Sequence, residues 1–140
     1  MVAAKAAAQE QDGRMKDGIT FDTGALIALE RRAQRARKVL ERATEQKVRI
    51  TVPAAVVTEW WRSRSDIRER ILGGVRLEPL SESLAKVAGE ALAAVRGATP
   101  IDAIVMASAA QRGDVVYTAD VADLERLAGY FRAVRVLSIG

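Results

Sequence analysis

Hydrophobic and polar residues alternate with two different spacings along the chain from Gly18 onward. Short apolar runs rich in β-branched residues have the length of buried strands, and the longer stretches between them repeat apolar residues every three or four positions, as amphipathic helices do. The runs that predict strands are GITFD (18–22), KVRITV (47–52), VRLEPL (75–80), DVVYTAD (114–120) and AVRVLSI (133–139). Strands separated by helical crossovers indicate an α/β domain with a mainly parallel sheet covered by helices on both faces.

The helical segments have distinct signals at their ends. Pro53 suits the first turn of a helix over AAVVTEWWRS, because a proline there gives up no intrahelical hydrogen bond. Ser81 predicts the N-cap of an amphipathic helix, and Thr99 with Pro100 predicts the start of a helix that runs to Gly113. A further stripe with helical spacing, interpreted as one helix or a broken helix pair, consists of Leu26, Leu29, Ala33, Ala36, Leu40 and Ala43.

No internal repeat and no Pro/Ser-rich linker interrupts this pattern, so residues 18–140 are interpreted as a single domain. Residues 1–17 are expected to be a flexible N-terminal extension. Met15 opens a plausible start, MKDGITFD, which suggests that the first fourteen residues are an extension, vector-derived residues or the product of an upstream start. No apolar run approaches the roughly 18 residues of a membrane span and no signal peptide is recognisable, so we expect a soluble, cytoplasmic protein with no membrane partner.

Histidine and cysteine are both absent from the 140 residues, which excludes several kinds of chemistry. Without cysteine there is no disulfide, no thiolate nucleophile and no cysteine-ligated metal, and without histidine the commonest general base and transition-metal ligand is missing. Hydrophobic residues make up 49% of the chain, which is enough for a proper core. Any catalysis must therefore use carboxylates, hydroxyls, amines or a hard metal ion.

The net charge of +4 is concentrated in one region. Residues 31–70 contain 12 Lys and Arg against 5 Asp and Glu, or +7, whereas residues 1–30 carry −2 and residues 71–140 carry −1. Such a basic region fits a polyanion partner, and it fits equally well the solvated face of a helix. Six arginines of this region are candidates for contacts with the phosphates of such a partner, with antitoxin binding or plain solubility as the alternative: Arg31, Arg32, Arg35, Arg62, Arg64 and Arg68.

Acidic residues recur where strands end and helices begin. Asp22 ends the first strand, Asp102 lies in the first turn of the helix that the TP dipeptide opens, and Asp120 follows the fourth strand, with Asp123 three residues later. Glu59 lies within the helix that follows the second strand. Parallel α/β sheets bind ligands outside the carboxyl ends of their strands, so we expect these acids to converge at one edge of the sheet.

Four of these acids also have a purely structural interpretation. Asp102 could complete a capping box, Asp120 could cap its helix, Asp123 could complement a helix dipole and Glu59 could simply be exposed. The set is harder to explain in this way, since Asp22 and Glu59 lie among apolar residues, where an acid is costly to bury. Carboxylates gathered at one place repel each other unless a cation is present, and oxygen-only ligation suits Mg²⁺ or Mn²⁺.

The segments that carry these acids resemble PIN-domain ribonucleases, and among them the VapC-type toxins of bacterial toxin–antitoxin pairs. The resemblance covers about residues 18–140 and rests on FDTGALIALE, VPAAVVTEWWR, TPIDAIVMASAAQRGDVVYTAD and VADLERL. It implies a compact, three-layer α/β/α sandwich with a mainly parallel sheet of four to five strands. It also implies a Mg²⁺- or Mn²⁺-dependent endoribonuclease, commonly a homodimer, that is inhibited by a cognate VapB-like antitoxin.

The resemblance also assigns roles to individual positions. Four positions match the acidic quartet of the family: Asp22, Glu59, Asp102 and Asp120. Asp123 matches a less constant extra acid, and Thr23 and Thr118 match hydroxyl residues that could orient a carboxylate or a water. Gly24 departs from the family, because it replaces a Ser or Asn and leaves the hydrogen bond of that side chain unfilled.

Phosphodiester hydrolysis requires a hydroxide nucleophile, neutralisation of developing charge and in-line placement, which metal-bound carboxylates can provide without histidine. We expect Asp22 and Asp102 to be the principal metal ligands, with Asp120 and Glu59 acting directly or through water. The metal would lower the pKa of the attacking water. Cleavage would leave a 5′-phosphate and a 3′-hydroxyl, since the 2′-hydroxyl is not used.

Other functions fit the sequence less well. A haloacid-dehalogenase-like phosphatase needs a second Asp two residues after the first, where this chain has Gly24, and a phospho-receiver domain needs a Lys after a late strand. The alternative to the nuclease is a catalytically silent PIN-fold module that binds RNA or protein. Of the adjacent Trp60 and Trp61, one is expected in the core and the other at a dimer or antitoxin interface.

Overall fold

The computed structural model of the protein describes residues 18–140, so the interpretation of residues 1–17 as a flexible extension, with a start at Met15, falls outside the described residues. The strands are β1 (Ile19–Phe21), β2 (Ile50–Pro53), β3 (Arg76–Glu78), β4 (Val115–Thr118) and β5 (Val136–Ser138). They form one sheet in the order β3-β2-β1-β4-β5, and every adjacent pair is parallel. The predicted α/β class with a mainly parallel sheet is confirmed.

Seven helices connect the strands within residues 18–140. They are α1 (Thr23–Glu30), α2 (Gln34–Glu45), α3 (Ala54–Trp60), α4 (Asp66–Gly73), α5 (Glu82–Ala94), α6 (Pro100–Arg112) and α7 (Val121–Tyr130). The stripe that begins at Leu26 spans α1 and α2 as a broken pair, because the chain turns at Arg32, whose φ of 58° is left-handed. None of these helices is both long enough and apolar enough to cross a membrane.

Side-chain caps define the ends of several helices. The Ser81 and Thr99 hydroxyls each accept a backbone N–H from the first turn of the helix that follows, α5 and α6 respectively. Gly113 ends α6 with a left-handed φ of 72°, a conformation that glycine adopts without steric conflict. Pro53 is not the first residue of a helix, as the sequence predicted. Its ψ of 136° is extended, so Pro53 is the last residue of β2 and the N-cap of α3, which begins at Ala54.

Helices cover both faces of the sheet in three layers. α1 packs against β1 and β4 and contacts α2, α3 and α4, while α6 packs against β1, β2 and β4 and contacts α3, α5 and α7. Right-handed crossovers, which parallel strands almost always have, place α1 to α4 on one face and α5 to α7 on the other. Fully buried side chains fill the space between sheet and helices: Phe21, Leu26, Val52, Val56, Met106, Val116, Leu124 and Leu127.

The order of the strands creates a reversal between β1 and β4. From β1 the chain moves outward to β2 and β3, then returns past β1 to β4 and β5. Doubly wound sheets bind ligands in the crevice outside the carboxyl ends of the strands at such a reversal. Asp22 directly follows β1 and Asp120 lies two residues after β4, so the topology brings both to this crevice.

A buried polar network joins the end of α6 to the sheet. The Arg112 guanidinium donates to Asp114 Oδ2 at 2.9 Å, to Glu78 Oε2 at 2.6 Å, and to the hydroxyls of Thr20 and Ser108 at 2.9 Å each. Asp114 is 1% exposed and also accepts a hydrogen bond from the Thr20 hydroxyl. The network fixes α6 against β1, β3 and β4, and no feature of the sequence predicted it.

Candidate active site

Asp22 lies at the carboxyl end of β1 and is the most buried of the predicted site acids, with 8% of its surface exposed. Its Oδ1 accepts the N–H of Ala25 at 2.9 Å, which makes Asp22 the N-cap of α1. Burial raises the pKa of the Asp22 carboxyl and the negative charge of Glu59 adds to the rise, while the nearby Thr118 hydroxyl and the Ala25 amide lower it in part. The carboxylate is therefore held firmly in surroundings that disfavour its charge.

Asp102 is half-buried in the first turn of α6. Its backbone N–H donates to the Thr99 hydroxyl at 3.2 Å. Burial is the main cause of a raised pKa of the Asp102 carboxyl, the negative charges of Asp22, Asp123 and Glu59 raise it further, and the Thr99 hydroxyl lowers it in part. Because charges act on one another strongly only at short range, four acids from four separate segments share one region.

Glu59 lies in the last turn of α3 and is exposed. Although its neighbours in the sequence are apolar, Glu59 is exposed, as its purely structural interpretation allowed, because the turn of α3 directs Val56 and Trp60 into the core and leaves Glu59 outside. The Thr23 hydroxyl donates to Glu59 Oε1 at 2.6 Å. This hydrogen bond ties Glu59 to the start of α1, directly after Asp22.

Asp120 and Asp123 belong to the start of α7, and both are exposed. Asp120 Oδ1 accepts the N–H of Ala122 at 3.1 Å and so caps α7. The N–H of Asp120 donates to the Thr118 hydroxyl at 3.1 Å, which ties the end of β4 to the start of α7. Asp123, and not Asp120, is among the main charges that raise the pKa of Asp102. Asp123 therefore lies within electrostatic range of Asp102.

The acidic cluster, defined here as Asp22, Glu59, Asp102 and Asp123, offers only oxygen donors, which Mg²⁺ and Mn²⁺ prefer. The pKa values of Asp22 and Asp102 are raised, so a cation would relieve the electrostatic stress. Within the described part of the chain, no three acidic side chains are already gathered as a metal-holding group. The donor chemistry therefore fits a hard divalent ion, while the side chains are not drawn together at ligating distance.

Gly24 allows α1 to approach the segment after β4 closely. A Cβ atom at Gly24 would lie 2.9 Å from the Cβ of Ala119 and 3.2 Å from its backbone N, both shorter than ordinary contacts. The bare backbone of Gly24 thus lets the end of β1, with Asp22, lie against the end of β4, with Thr118. The sequence comparison treated Gly24 only as the loss of a Ser or Asn side chain, whereas the structure shows that the absence of a side chain allows this close contact.

Three of the six arginines predicted to contact RNA, Arg31, Arg62 and Arg68, line a cavity beside the acidic cluster. Arg31 and Arg62 are exposed and line a cavity that Glu59 also lines. Arg32 lines a separate cavity between α1, α2 and α4, and Arg35 is exposed on α2 and lines neither. The predicted basic surface is therefore divided between two cavities and open solvent.

Arg68 and Arg64 are engaged with other residues. Arg68 Nη2 lies 2.9 Å from Glu30 Oε2, and its Nη1 donates to the backbone and hydroxyl oxygens of Ser63. Arg64 forms an exposed ion pair of 3.4 Å with a neighbouring aspartate. Glu30 Oε1 also accepts the indole N–H of Trp60 at 2.9 Å, so Glu30 links α1 to both α3 and α4.

The linking role of Glu30 was not predicted from the sequence, because its partner Trp60 lies 30 residues away and no local pattern connects the two residues. Trp60 is 3% exposed and is the core member of the tryptophan pair. Trp61 is half-buried, with its ring centroid 6.1 Å from that of Trp60. Its placement at a dimer or antitoxin interface stays a prediction.

A parallel, doubly wound sheet between two helical layers, with acids from four segments at its carboxyl edge, defines an α/β protein with a site suited to a hard cation. The sequence matches the PIN domain family over residues 19–130. The chain belongs to the PIN domain family, whose members are typically nucleases that use divalent metal ions.

Solved structures of low sequence identity share this fold. A chain in a toxin–antitoxin complex from Klebsiella pneumoniae is 17% identical, with a TM-score of 0.63, and the match covers 88% of this chain and 98% of that one. A chain in the structure of FitAB bound to the IR36 DNA fragment is 21% identical, with a TM-score of 0.60 and coverage of 86% and 94%. No curated protein sequence matches this chain.

Proposed function

We propose that this protein is a Mg²⁺- or Mn²⁺-dependent endoribonuclease and the toxin component of a VapBC-type toxin–antitoxin pair, acting on RNA in the cytoplasm. Membership of the PIN domain family supports nuclease activity. The observation that carries the proposal is the acidic cluster, in which burial and mutual repulsion raise the pKa of Asp22 and Asp102. Carboxylates with perturbed pKa values that gather at a ligand-binding crevice are typical of functional sites.

Asp22 and Asp102 are the proposed principal metal ligands. The cap on α1 fixes Asp22, and the first turn of α6 fixes Asp102. Thr23 orients Glu59 through a hydrogen bond of 2.6 Å, so that Glu59 can act directly or through water. A divalent ion held there would neutralise developing negative charge on the phosphate and lower the pKa of the attacking water.

The start of α7 completes the proposed site. Asp120 keeps its N-cap bond to Ala122 while its second carboxylate oxygen is available for a ligand, and Asp123 adds negative charge near Asp102. The 2′-hydroxyl of the RNA plays no part in this chemistry. The products would therefore have 5′-phosphate and 3′-hydroxyl ends.

An apolar groove with a basic rim supports an antitoxin partner. A cavity of about 350 Å³ lies between α1, α2 and α4. Its lining combines apolar and basic side chains: Leu29, Arg32, Arg37, Leu40, Ile67, Arg70, Ile71 and Val75. An acidic amphipathic segment of a VapB-like antitoxin could bury its apolar side chains there and pair with the arginines. The likeness in fold to a chain of a toxin–antitoxin complex also favours this partner.

We further propose that the protein forms a homodimer, as the resemblance to VapC-type toxins implies. Multi-angle light scattering of the purified protein measures the mass directly. A mass of twice the 15.1 kDa chain at micromolar concentration supports the dimer, and a mass of one chain rejects it.

Controlled expression in a bacterial host tests the proposed toxin activity. We expect the wild-type protein to stop growth and to cause loss of intact cellular RNA, and Asp22→Ala and Asp102→Asn at the same expression level to do neither. Glu90→Gln is a matched control, because Glu90 is an exposed acid on α5 outside the acidic cluster, and it should arrest growth like the wild type.

The catalytically silent module would give a different result. Cells would then grow equally well with the wild type and with Asp102→Asn, and the purified protein would bind RNA without cleaving it in Mg²⁺ or Mn²⁺. Recovery of growth on coexpression of a small DNA-binding protein encoded next to this gene would support the toxin–antitoxin pair.

A further inference from the structure

A cavity of about 460 Å³ opens beside the acidic cluster, at the end of α1, the end of α3 and the start of α4. Glu59, which the Thr23 hydroxyl orients, lines one side of it. The volume lies in the range of roughly 300–1,000 Å³ in which proteins bind small ligands or parts of larger ones. The cavity thus shares Glu59 with the proposed catalytic site.

Another part of the cavity lining is fixed by Glu30, which bonds to both Trp60 and Arg68. Glu30 Oε1 accepts the indole N–H of Trp60 at 2.9 Å, and Glu30 Oε2 lies 2.9 Å from Arg68 Nη2. The side chains of Arg68 and Glu30 are 19% and 24% exposed, so this pair is largely shielded from solvent. This part of the lining is therefore rigid, and Glu30 already balances the charge of Arg68.

Arg31 and Arg62 supply the remaining positive charge of the cavity. Both side chains are exposed, and within residues 18–140 neither takes part in an ion pair. The lining includes three arginines and two glutamates, so its formal charge is positive even with Glu59 ionised. A preformed, positively charged cavity of this kind fits an anion.

We propose that this cavity is a subsite for a backbone phosphate of the RNA strand adjacent to the phosphate that is cleaved, and that Arg31 and Arg62 bind it. The inference rests on the proposed function, since the cleaved phosphate would lie at the acidic cluster. A phosphate of the neighbouring nucleotide then lies close to Glu59, on the cavity side. Guanidinium groups suit this task because they bind phosphate oxygens with paired hydrogen bonds.

The subsite is suited to the backbone and not to a base. Trp60 is 3% exposed, so the face of its indole ring is not open for stacking on a base. Each oxygen of Glu30 already has a partner, in Trp60 and Arg68, so Glu30 is poorly placed to read a base edge. Phosphate contacts position a nucleic acid strand and carry no sequence information. The subsite therefore positions the RNA without selecting its sequence.

Binding measured without cleavage tests this subsite. The full-length protein is titrated in EDTA against fluorescent single-stranded oligo(U) and oligo(A), and anisotropy gives the Kd at several KCl concentrations. The test variant is Arg31→Gln/Arg62→Gln. The control variant is Arg42→Gln/Arg132→Gln, which removes the same charge from two exposed positions outside the cavity.

The salt dependence separates a specific subsite from general charge. Each phosphate contact with a single strand contributes about 0.7 to the slope of log K against log salt. We expect the test variant to lose about 1.4 of this slope and to bind about 10-fold more weakly at 0.1 M salt, equally on both oligonucleotides. The control variant should change the Kd by less than about threefold.

Equal losses in the two double variants would overturn the subsite, and so would a loss confined to oligo(U) or to oligo(A). The Lys counterparts, Arg31→Lys/Arg62→Lys, keep the charge and should retain most of the slope. A wild-type protein that shows this arginine-dependent slope but cleaves no RNA in Mg²⁺ or Mn²⁺ would refute the nuclease while leaving the subsite intact.

Discussion

Asp22 combines two roles that substitutions can separate. It caps α1 by accepting the Ala25 N–H at 2.9 Å, and it is the most buried carboxylate of the acidic cluster, with a raised pKa. Asparagine at this position could accept the same hydrogen bond without the charge, whereas alanine could do neither. The two substitutions therefore distinguish helix capping from chemistry at one residue.

We expect Asp22→Asn and Asp22→Ala to lose RNA cleavage alike and to differ in stability. In EDTA, Asp22→Asn should have a free energy of unfolding at least equal to that of the wild type, because the disfavoured charge is gone and the cap remains. Asp22→Ala should be less stable than Asp22→Asn by about 1 kcal/mol, since the cap is lost. Urea denaturation measures both differences, and equal stabilities of the two variants would argue against the capping role.

The raised pKa values of Asp22 and Asp102 lead to a pH dependence of stability in the absence of metal. These carboxyls bind a proton more readily in the native state than in the unfolded chain, where the reference value is 3.8. The native state therefore binds more protons than the unfolded chain. As the pH rises from about 4 through each native pKa, these two carboxyls make the free energy of unfolding smaller.

Urea denaturation in EDTA from pH 4 to 7, on the wild type and on Asp22→Asn/Asp102→Asn, isolates this contribution. We expect the double variant to gain stability relative to the wild type as the pH rises. A stability difference that is the same at every pH would show that neither carboxyl has a raised pKa.

The positions of Asp22 and Asp102 could be predicted from the sequence, because each stands at a strand end or a helix start, where local signals are strong. The exposure of Glu59 could not, since it depends on which side of α3 faces the core. The role of Glu30 could not be predicted either, because its partners Trp60 and Arg68 come near it only when α1, α3 and α4 pack together.

At the scale of the elements, the approach of α1 to β4 depends on Gly24. Gly89 on α5 provides a comparison, because an added Cβ there would have no atom within 4 Å. Alanine is favoured over glycine within a helix by up to about 1 kcal/mol, so Gly89→Ala should raise the free energy of unfolding by about that amount. At Gly24 the added Cβ would meet Ala119 at 2.9 Å. We expect Gly24→Ala to lower the unfolding free energy by about 1–3 kcal/mol and to impair cleavage.

Thermal unfolding and RNA cleavage of both glycine variants provide the comparison. If Gly24→Ala were as stable as Gly89→Ala and fully active, the close approach of α1 to the segment after β4 would have no role in forming the site.

The polar network around Arg112 anchors the helix that carries Asp102. Arg112→Gln would leave the buried Asp114 without its ionic partner, so we expect a loss of about 3 kcal/mol in the free energy of unfolding. Lys86→Gln on α5 breaks an exposed pair with Glu82 and should change stability by less than about 0.5 kcal/mol. Urea denaturation of both variants measures these two losses of stability. An effect of Arg112→Gln as small as that of Lys86→Gln would mean that the network does not anchor α6.

Helices and strands could largely be predicted because their spacing and caps are local features. Each strand proved shorter than the apolar run that predicted it, because residues of these runs such as Asp114 and Ile139 are buried just beyond the paired ends of the strands. The edge strands β3 and β5 also differ from the expected buried strands, because most of their residues are exposed. The Arg112 network could not be predicted, because it joins Arg112 to Thr20, 92 residues away.

At the scale of the whole molecule, the strand order decides which groups meet. Alternating strands and helices predicted a parallel sheet, but several strand orders satisfy that pattern. The order β3-β2-β1-β4-β5 sets β1 beside β4, which brings Asp22 and Thr118 together at the reversal of the sheet. Long-range packing fixes this order, so the composition of the site follows from the fold as much as from the motifs.

The uneven charge also acquires a spatial meaning. The +7 region, residues 31–70, forms α2, β2, α3 and α4, so its helices share the layer of α1. Arg31 and Arg62 of this region line the cavity beside Glu59. A polyanion would thus be drawn toward a basic helical layer, and a divalent ion at the acidic cluster would reduce the repulsion between the carboxylates and an approaching phosphate.

The cleavage rate of RNA by purified wild-type protein and by Asp102→Asn, in Mg²⁺, in Mn²⁺ and in EDTA, tests the central claim most directly. Metal ions contribute several kcal/mol to such reactions, and each 1.36 kcal/mol is a factor of ten, so loss of a principal ligand should slow cleavage by at least about 100-fold. We expect no cleavage in EDTA, 5′-phosphate product ends in either metal, and a normal rate for Glu90→Gln. Cleavage by Asp102→Asn at the wild-type rate, or undiminished cleavage in EDTA, would contradict the account.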